Sequence, residues 1–149
     1  MSIIRVTREF SFEMAHALHG YDGPCKNVHG HSYRLLVTVS GVPVSDGASP
    51  KNGMLIDFNI LREIVQKKII DRFDHSLVIS NDFDEERKRM MLDAFGNILI
   101  LNYQPTCEKL VENFAAILGD ALPTGVKLHS LRLYETAKSY AEWYASDNE

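Results

Sequence analysis

The sequence predicts a single α+β domain, residues 1–149, with mostly antiparallel strands and two helices. Three observations predict it. The length of 149 residues suits one domain with its own core. Hydrophobic residues make up 45% of the chain and charged residues 24%, which is typical of a globular protein. Apolar residues alternate with polar ones in some segments and recur at helical spacing in others.

Two strands and a long loop are predicted in the first part of the chain. The first strand, over residues 4–16, places on one face Ile4, Val6, Phe10, Phe12, Met14 and His16. Residues 17–28 contain two glycines and a proline and are expected to form a loop. The second strand places on one face Tyr33, Leu35, Val37 and Val39. Residues 41–53 are predicted to be a connection, and residues 54–56 a short strand.

The two helices follow from apolar spacing and from their end residues. The first is expected over residues 59–73, with Asp57 as its N-cap. The second begins after Pro105 and Thr106 and ends at Gly119. The charged run from residue 82 to 89 is interpreted as a solvated surface. Residues 98–103 and 127–135 are predicted to be strands.

Charge and cysteine content exclude several classes of function. The net charge of −4 offers no basic surface for nucleic acid or anionic lipid. Charged residues interrupt the apolar stretches of the N-terminal segment, which predicts neither a signal peptide nor a membrane span. The two cysteines, Cys25 and Cys107, are too few for a disulfide framework, so a reduced cytoplasmic protein is expected.

Three histidines form a candidate metal site. His29 and His31 are two residues apart on a predicted strand, so their imidazoles point to the same face, and an antiparallel neighbour can bring His16 beside them. Three neutral imidazoles are a catalytic zinc set with an open fourth position. On its own, a pair of histidines two residues apart is more often a surface or core feature than a ligand pair. A second alternative is a closed structural site in which Cys25 is the fourth ligand. The candidate set leaves out His19 and His129.

Two further groups are candidates for chemistry. Cys25 precedes His29 by four residues and lies next to Lys26, so its thiolate would be favoured near a cation, as nucleophile or base. The alternative is an inert loop cysteine. Asp74 and His75 are adjacent after the first helix, where the carboxylate can fix the imidazole tautomer. They are equally consistent with a charge arrangement at a helix end.

Four more residues lie in the remaining motifs, at the end of the last strand and at the start of the second helix. Glu135 ends the last strand, where it is either a surface charge or an acceptor for two hydrogen bonds from an N–C–N edge. Thr106 and Glu108 are expected to cap the second helix, worth about 1 kcal/mol for the cap. Cys107 between them is interpreted as a small, partly buried residue.

Taken together, these motifs resemble one family. In order they are His16, C-K-N-V-H-G-H at 25–31, the Asp74–His75 pair, P-T-C-E at 105–108 and Y-E-T at 134–136. The sequence resembles the 6-pyruvoyl-tetrahydropterin synthase/6-carboxytetrahydropterin synthase family from about residue 3 to residue 144.

The resemblance implies a fold and an assembly. The fold is the T-fold, a four-stranded antiparallel sheet with two helices on one face. Family members form barrel-like trimers through their sheets, which commonly stack as dimers of trimers, so strand edges are paired between subunits. Active sites lie at subunit contacts, where His75 of one chain can reach Cys25 of a neighbour.

The resemblance also implies roles for the candidate residues. His16, His29 and His31 would hold Zn²⁺, and Cys25 would be the general base, with Asp74 and His75 as the relay that tunes it. The pterin N–C–N edge would bind Glu135. The ring would be seated by Thr106, Cys107 and Glu108.

The spacing of CKNVHGH is similar to that of the bacterial branch of the family in queuosine biosynthesis. This implies conversion of 7,8-dihydroneopterin triphosphate to 6-carboxy-5,6,7,8-tetrahydropterin, acetaldehyde and triphosphate. The alternatives are formation of 6-pyruvoyl-tetrahydropterin and a non-catalytic, zinc-stabilised pterin-binding module. A zinc hydrolase is disfavoured because neither Glu13 nor Glu135 lies in an HExxH motif. The connection over residues 80–104 is longer than in the short bacterial members, and Ser80 stands where an Asn is expected. These differences are expected to affect product specificity more than zinc binding.

Overall fold

A six-stranded mixed sheet forms the centre of the computed structural model, which describes residues 1–149. In chain order the strands are β1 (Ile4–His16), β2 (His29–Gly41), β3 (Leu77–Ser80), β4 (Ile98–Leu101), β5 (Lys127–Tyr134) and β6 (Tyr140–Tyr144). Their order in space is β4-β3-β1-β2-β5-β6. The pairs β1–β2, β2–β5 and β5–β6 are antiparallel, whereas β3 runs parallel to both β1 and β4.

Helices precede and follow the parallel strands. In chain order they are α1 (Phe58–Val65), a π-helical turn (Gln66–Ile70), α2 (Asp71–Phe73), α3 (Glu85–Ala94) and α4 (Cys107–Gly119). Both predicted N-caps are confirmed: the Asp57 carboxylate accepts from the Asn59 N–H at 2.8 Å, and the Thr106 hydroxyl accepts from the Lys109 N–H at 3.3 Å. No helix is both long enough and apolar enough to span a bilayer.

The β1–β2 register places the predicted apolar faces on the core. Phe12 lies opposite Tyr33, and their rings stack with centroids 5.0 Å apart. The core between this face of the sheet and the helices also includes Leu61, Ile69, Leu110, Phe114 and Leu131. The same register places His16 opposite His29 at the end of the two strands. The histidines therefore continue the buried face of the sheet beyond its apolar part.

The mostly antiparallel sheet is confirmed for β1-β2-β5-β6, but the expected number of four strands is wrong, because β3 and β4 extend the sheet to six strands and pair in parallel. β3 pairs with the end of β1, with Ala15 opposite Leu77 and His16 opposite Val78. All four residues of β3 are buried, so this strand shows no alternation of apolar and polar residues. A run this short has no period by which a sequence pattern would detect it. β4 was predicted, and it pairs with β3 alone.

The expectation of two helices is also wrong, because the charged run contains the start of α3. Its N-cap is Asp84, which accepts from the Arg87 N–H at 2.9 Å. Lys88 is buried and donates to Asn81 Oδ1 at 2.9 Å, with Glu85 at 2.6 Å. A helix that is polar on nearly all sides lacks the apolar stripe by which helices are predicted. The other charged residues of the run from 82 to 89 are exposed, as expected, and Lys88 alone is buried.

Two smaller differences concern strands. Residues 54–56 form no strand; Met54 O accepts from the Val44 N–H at 2.9 Å, and Val44 O accepts from the Gly53 N–H at 2.8 Å. These two bonds join the ends of a turn and do not extend into a ladder. Conversely, β6 was not predicted, and it pairs with β5 over five positions from Ser130–Tyr144 to Tyr134–Tyr140.

Candidate active site

The three predicted ligand histidines lie together. One ring nitrogen from each of His16, His29 and His31 lies within 4.8 Å of the others, and no other His, Cys, Asp or Glu belongs to the group. β1 supplies the first, and the start of β2 supplies the other two. His16 is 2% exposed, while the other two are half-buried. Cys25 is not a member, which argues against a closed site with a thiolate ligand.

Main-chain carbonyls orient two of the imidazoles. His16 Nδ1 lies 2.8 Å from Pro105 O, and His29 Nδ1 lies 2.8 Å from Asn27 O. A carbonyl only accepts, so both Nδ1 atoms carry a proton, and in the neutral rings both Nε2 atoms present lone pairs. These two Nε2 atoms face each other at 3.0 Å. Two lone pairs in that position need a proton or a cation between them, and donation from Nδ1 to a carbonyl is typical of metal-bound histidines.

The third imidazole has a nitrogen without a partner. His31 Nε2 is buried and makes no hydrogen bond; its closest charged neighbour is Glu135 Oε1 at 3.8 Å. Burial lowers the pKa of His31, and the carboxylate of Glu135 opposes this shift in part. The ring therefore tends to be neutral, as a ligand must be. Three imidazole nitrogens suit a transition-metal ion such as zinc, so the residues fit a metal.

His16 is the most strongly perturbed of the three. Its burial lowers its pKa from 6.5 to about 4, although the bond to Pro105 O acts in the opposite direction. In the unfolded chain the imidazole takes up a proton near pH 6.5, whereas the folded protein resists protonation until about pH 4. The free energy of unfolding is therefore expected to fall as the pH decreases from 6.5 to 4, by roughly 3 kcal/mol from this residue.

Urea unfolding of the chelator-treated protein across this pH range measures the effect. The variant His16→Gln is expected to lose this part of the pH dependence, while His129→Gln keeps it. Equal pH slopes for the wild type and His16→Gln would show that another group is responsible.

A cleft of about 290 Å³ lies beside His16. Its lining includes every remaining predicted site residue outside the Asp74–His75 pair, namely Cys25, Thr106, Cys107, Glu108 and Glu135. Cys25 reaches it from a short 3₁₀ turn, Pro24–Lys26, in the loop between β1 and β2. Glu135 follows β5, and its N–H donates to Ser139 O at 3.0 Å in the turn to β6. A thiol, a carboxylate and an imidazole of the three-histidine group thus converge on one cleft.

The sequence does not predict the roles of two groups at this site, the Pro105 carbonyl and the Tyr33 hydroxyl. The Pro105 carbonyl orients His16 from 89 residues away. The Tyr33 hydroxyl is buried without a hydrogen-bond partner, and burial followed by the charge of Glu135 raises its pKa. The tyrosine was predicted as a core residue because it continues the apolar face of β2. No sequence pattern distinguishes a core tyrosine with a free hydroxyl from one with a bonded hydroxyl.

The two thiols differ in their surroundings. Cys107 Sγ donates to Leu133 O at 3.2 Å, and burial raises the pKa of this thiol to about 12. It therefore stays protonated and unreactive at neutral pH. Brief treatment with iodoacetamide at a pH of about 8 is expected to alkylate Cys25 and spare Cys107, as read by peptide mass spectrometry. Equal modification of both cysteines would contradict this assignment.

The Asp74–His75 pair lies in a different place. Asp74 Oδ2 is 2.9 Å from His75 Nδ1, and Asp74 Oδ1 accepts from the Glu13 N–H at 2.9 Å. This N–H, and next the imidazole, lower the pKa of Asp74. His75 lines a second cleft of about 540 Å³ together with Glu13 and His31. Within one chain His75 therefore lines a cleft separate from that of Cys25, and Asp74 holds its imidazole from outside the lining.

The backbone of His75 has an unusual conformation. Its φ of 59° makes it the one non-glycine residue of the chain with a positive φ. Its N–H donates to Glu13 O at 2.6 Å, so bonds to one residue of β1 fix both members of the pair. Non-glycine residues in the left-handed region cost free energy, and they persist where surrounding contacts over-determine them. The side chain is 77% exposed, which leaves the imidazole free to meet another molecule.

Known proteins with similar sequences are pterin synthases. A protein of Haemophilus influenzae named 6-carboxy-5,6,7,8-tetrahydropterin synthase is 35% identical over 143 residues, covering 95% of this chain and 99% of its own. A protein of the same name from Synechocystis sp. is 30% identical over 140 residues, covering 94% and 92%.

The fold is likewise shared with solved structures. The Caenorhabditis elegans 6-pyruvoyl tetrahydropterin synthase superimposes with a TM-score of 0.70 at 24% identity, covering 97% of both chains. The Plasmodium falciparum enzyme of that name gives 0.70 at 21% identity, covering 97% of this chain and 99% of its own. A family model described as 6-pyruvoyl tetrahydropterin synthase matches residues 5–146. The resemblance seen in the motifs is thus confirmed, and the chain belongs to the 6-pyruvoyl tetrahydropterin synthase family.

Proposed function

We propose that the protein is a zinc-dependent 6-carboxy-5,6,7,8-tetrahydropterin synthase acting on 7,8-dihydroneopterin triphosphate, with release of acetaldehyde and triphosphate. The observation that carries the proposal is that Cys25 lines the cleft beside His16 and yet lies outside the three-histidine group. A free thiol beside an open metal site suits catalysis, and a fourth protein ligand would not. The names of the H. influenzae and Synechocystis relatives support this product.

His16, His29 and His31 would hold the zinc ion through one nitrogen each. Bound there, zinc would act as a Lewis acid towards the hydroxyl oxygens of the substrate side chain. The carbonyl oxygens of Pro105 and Asn27 orient His16 and His29 so that their Nε2 atoms face each other, which supports a preformed metal site.

Glu135 would orient the substrate. Its side chain is 28% exposed and lines the cleft, with Oε1 3.8 Å from His31 Nε2. A carboxylate accepts two hydrogen bonds from the N–C–N edge of a pterin, which fixes the ring in its plane. The N-terminal turn of α4, Thr106 to Glu108, forms part of the wall against which the ring would lie.

Cys25 would take a proton from a carbon of the substrate side chain, since its thiol lines the cleft beside His16 and its thiolate would be the base. Asp74 and His75 would handle the partner proton transfer. Because His75 lines a different cleft in one chain and Asp74 lines neither, we propose that the pair acts in the active site of a neighbouring subunit, in a trimer or a dimer of trimers. The exposure of the His75 side chain supports this arrangement.

Product analysis tests the proposal. Zinc-loaded protein is incubated with 7,8-dihydroneopterin triphosphate, and acetaldehyde and triphosphate are quantified, with chelator-treated protein as the control. We expect both products in equal amounts. Release of triphosphate without acetaldehyde would indicate formation of 6-pyruvoyl-tetrahydropterin. The absence of both products would favour a non-catalytic pterin-binding module.

A further inference from the structure

The loop that carries Cys25, residues 17–28, is bound by a side chain from a distant part of the sequence. Gln104 Oε1 accepts from the His19 N–H at 3.1 Å, and Gln104 Nε2 donates to His19 O at 2.7 Å. One carboxamide thus satisfies both main-chain groups of a loop residue, as a neighbouring strand would do. The two residues are 85 positions apart, so this contact fixes the loop against the segment that precedes α4.

Hydrogen bonds within the loop transmit this fixation to Cys25. The Leu18 N–H donates to Cys25 O at 3.0 Å, and the Tyr21 N–H donates to Leu18 O at 3.4 Å. The residue bound by Gln104 is therefore next to the one that pairs with Cys25. His19 also packs its ring edge on Phe83, with centroids 4.9 Å apart.

Gln104 is followed directly by residues of the metal site and of the cleft. Pro105 O accepts from His16 Nδ1 at 2.8 Å. The Thr106 N–H donates to Gln104 O at 2.8 Å, and Thr106 lines the same cleft as Cys25. Three consecutive residues therefore have three tasks at this site. Gln104 binds the loop that carries Cys25, Pro105 orients His16, and Thr106 forms part of the cleft lining.

We propose that Gln104 is a positioning residue that sets the place of the Cys25 thiol relative to the three histidines. The inference rests on the proposed role of Cys25 as the base. A misplacement of about 1 Å in a catalytic group costs on the order of 100-fold in rate. The hydrogen bonds of the Gln104 side chain go to His19 and to none of the three histidines, and the main-chain carbonyl of Pro105 orients His16, so we expect zinc binding to be kept when the side chain is changed.

The substitution Gln104→Met tests this role, since it keeps the length of the side chain and removes both hydrogen bonds. We expect kcat to fall at least about tenfold, with KM within about twofold of the wild type and zinc content unchanged. Amide exchange of residues 17–28 is expected to become at least about tenfold faster. The variant Gln104→Glu keeps the acceptor and loses the donor, so its kcat is expected to lie between those of the wild type and Gln104→Met. The control Gln66→Met removes a carboxamide that donates to Asp71 and should leave all four quantities unchanged.

Two results would overturn the proposal. One is a Gln104→Met protein with wild-type kcat and wild-type exchange in the loop. The other is a fall in kcat that accompanies loss of zinc, because the effect would then act through His16.

Failure of the proposed function itself is recognised separately, as a wild-type protein that does not turn over the pterin triphosphate. Loop exchange and the rate of Cys25 alkylation by iodoacetamide then decide the role of Gln104. Faster exchange and faster alkylation in Gln104→Met support it, and values equal to the wild type overturn it.

Discussion

Replacing His29 with alanine is expected to weaken zinc binding by more than about 100-fold, since one of the three proposed protein ligands would be lost. Loss of an outer partner alone typically costs 10- to 100-fold in metal affinity, and loss of a ligand removes a bond to the metal itself. His29 is half-buried at the start of β2, where alanine creates little cavity. Competition with a chromophoric chelator measures the affinity, and the metal content after dialysis measures the stoichiometry.

The matched control is His129→Ala. His129 lies on β5 with its ring 6.1 Å from that of Tyr144, outside the histidine group. Its removal should leave the zinc content and affinity at the wild-type values. If His29→Ala bound zinc as tightly as this control, the three histidines would not be the ligands.

The second large effect is expected for Cys25→Ala, with turnover falling by about 10²- to 10⁴-fold, the range for loss of a general base. Zinc content should stay at the wild-type value, because Cys25 is outside the histidine group. Turnover and metal content are measured on the same preparation. The variant Cys25→Ser keeps the size of the side chain and lacks the acidic thiol, so it should lose activity to a similar extent with the fold intact.

A different pair of results would support a structural metal site. If Cys25→Ala lost its zinc and its thermal stability together, the thiolate would be a fourth ligand and the metal would hold the fold. The two interpretations therefore predict opposite metal contents for the same variant.

Local geometry explains why the histidine group was predictable. Strand alternation places His16 on the face of Phe12 and Met14, and residues 29 and 31 share a face by the same rule. β1 and β2 are consecutive antiparallel neighbours, so no long-range information was needed to bring the three imidazoles together.

Features that depend on distant contacts or on unusual conformation were not predictable. The carbonyl of Pro105 and the carboxamide of Gln104 act on residues more than 80 positions away, and their place depends on the path of the chain before α4. His75 adopts a positive φ, which residues other than glycine rarely adopt. β3 is too short for a pattern, and α3 has charges on nearly all sides.

X-ray absorption at the zinc edge of the wild-type protein tests the central claim, an open three-histidine zinc site with Cys25 left free. We predict a coordination shell of three imidazole nitrogens at about 2.0 to 2.1 Å and one oxygen ligand, with no sulfur. Addition of the pterin substrate is expected to change the oxygen ligand and to leave the nitrogen shell intact. A sulfur ligand at about 2.3 Å would show that Cys25 binds the metal and would contradict the open three-histidine site.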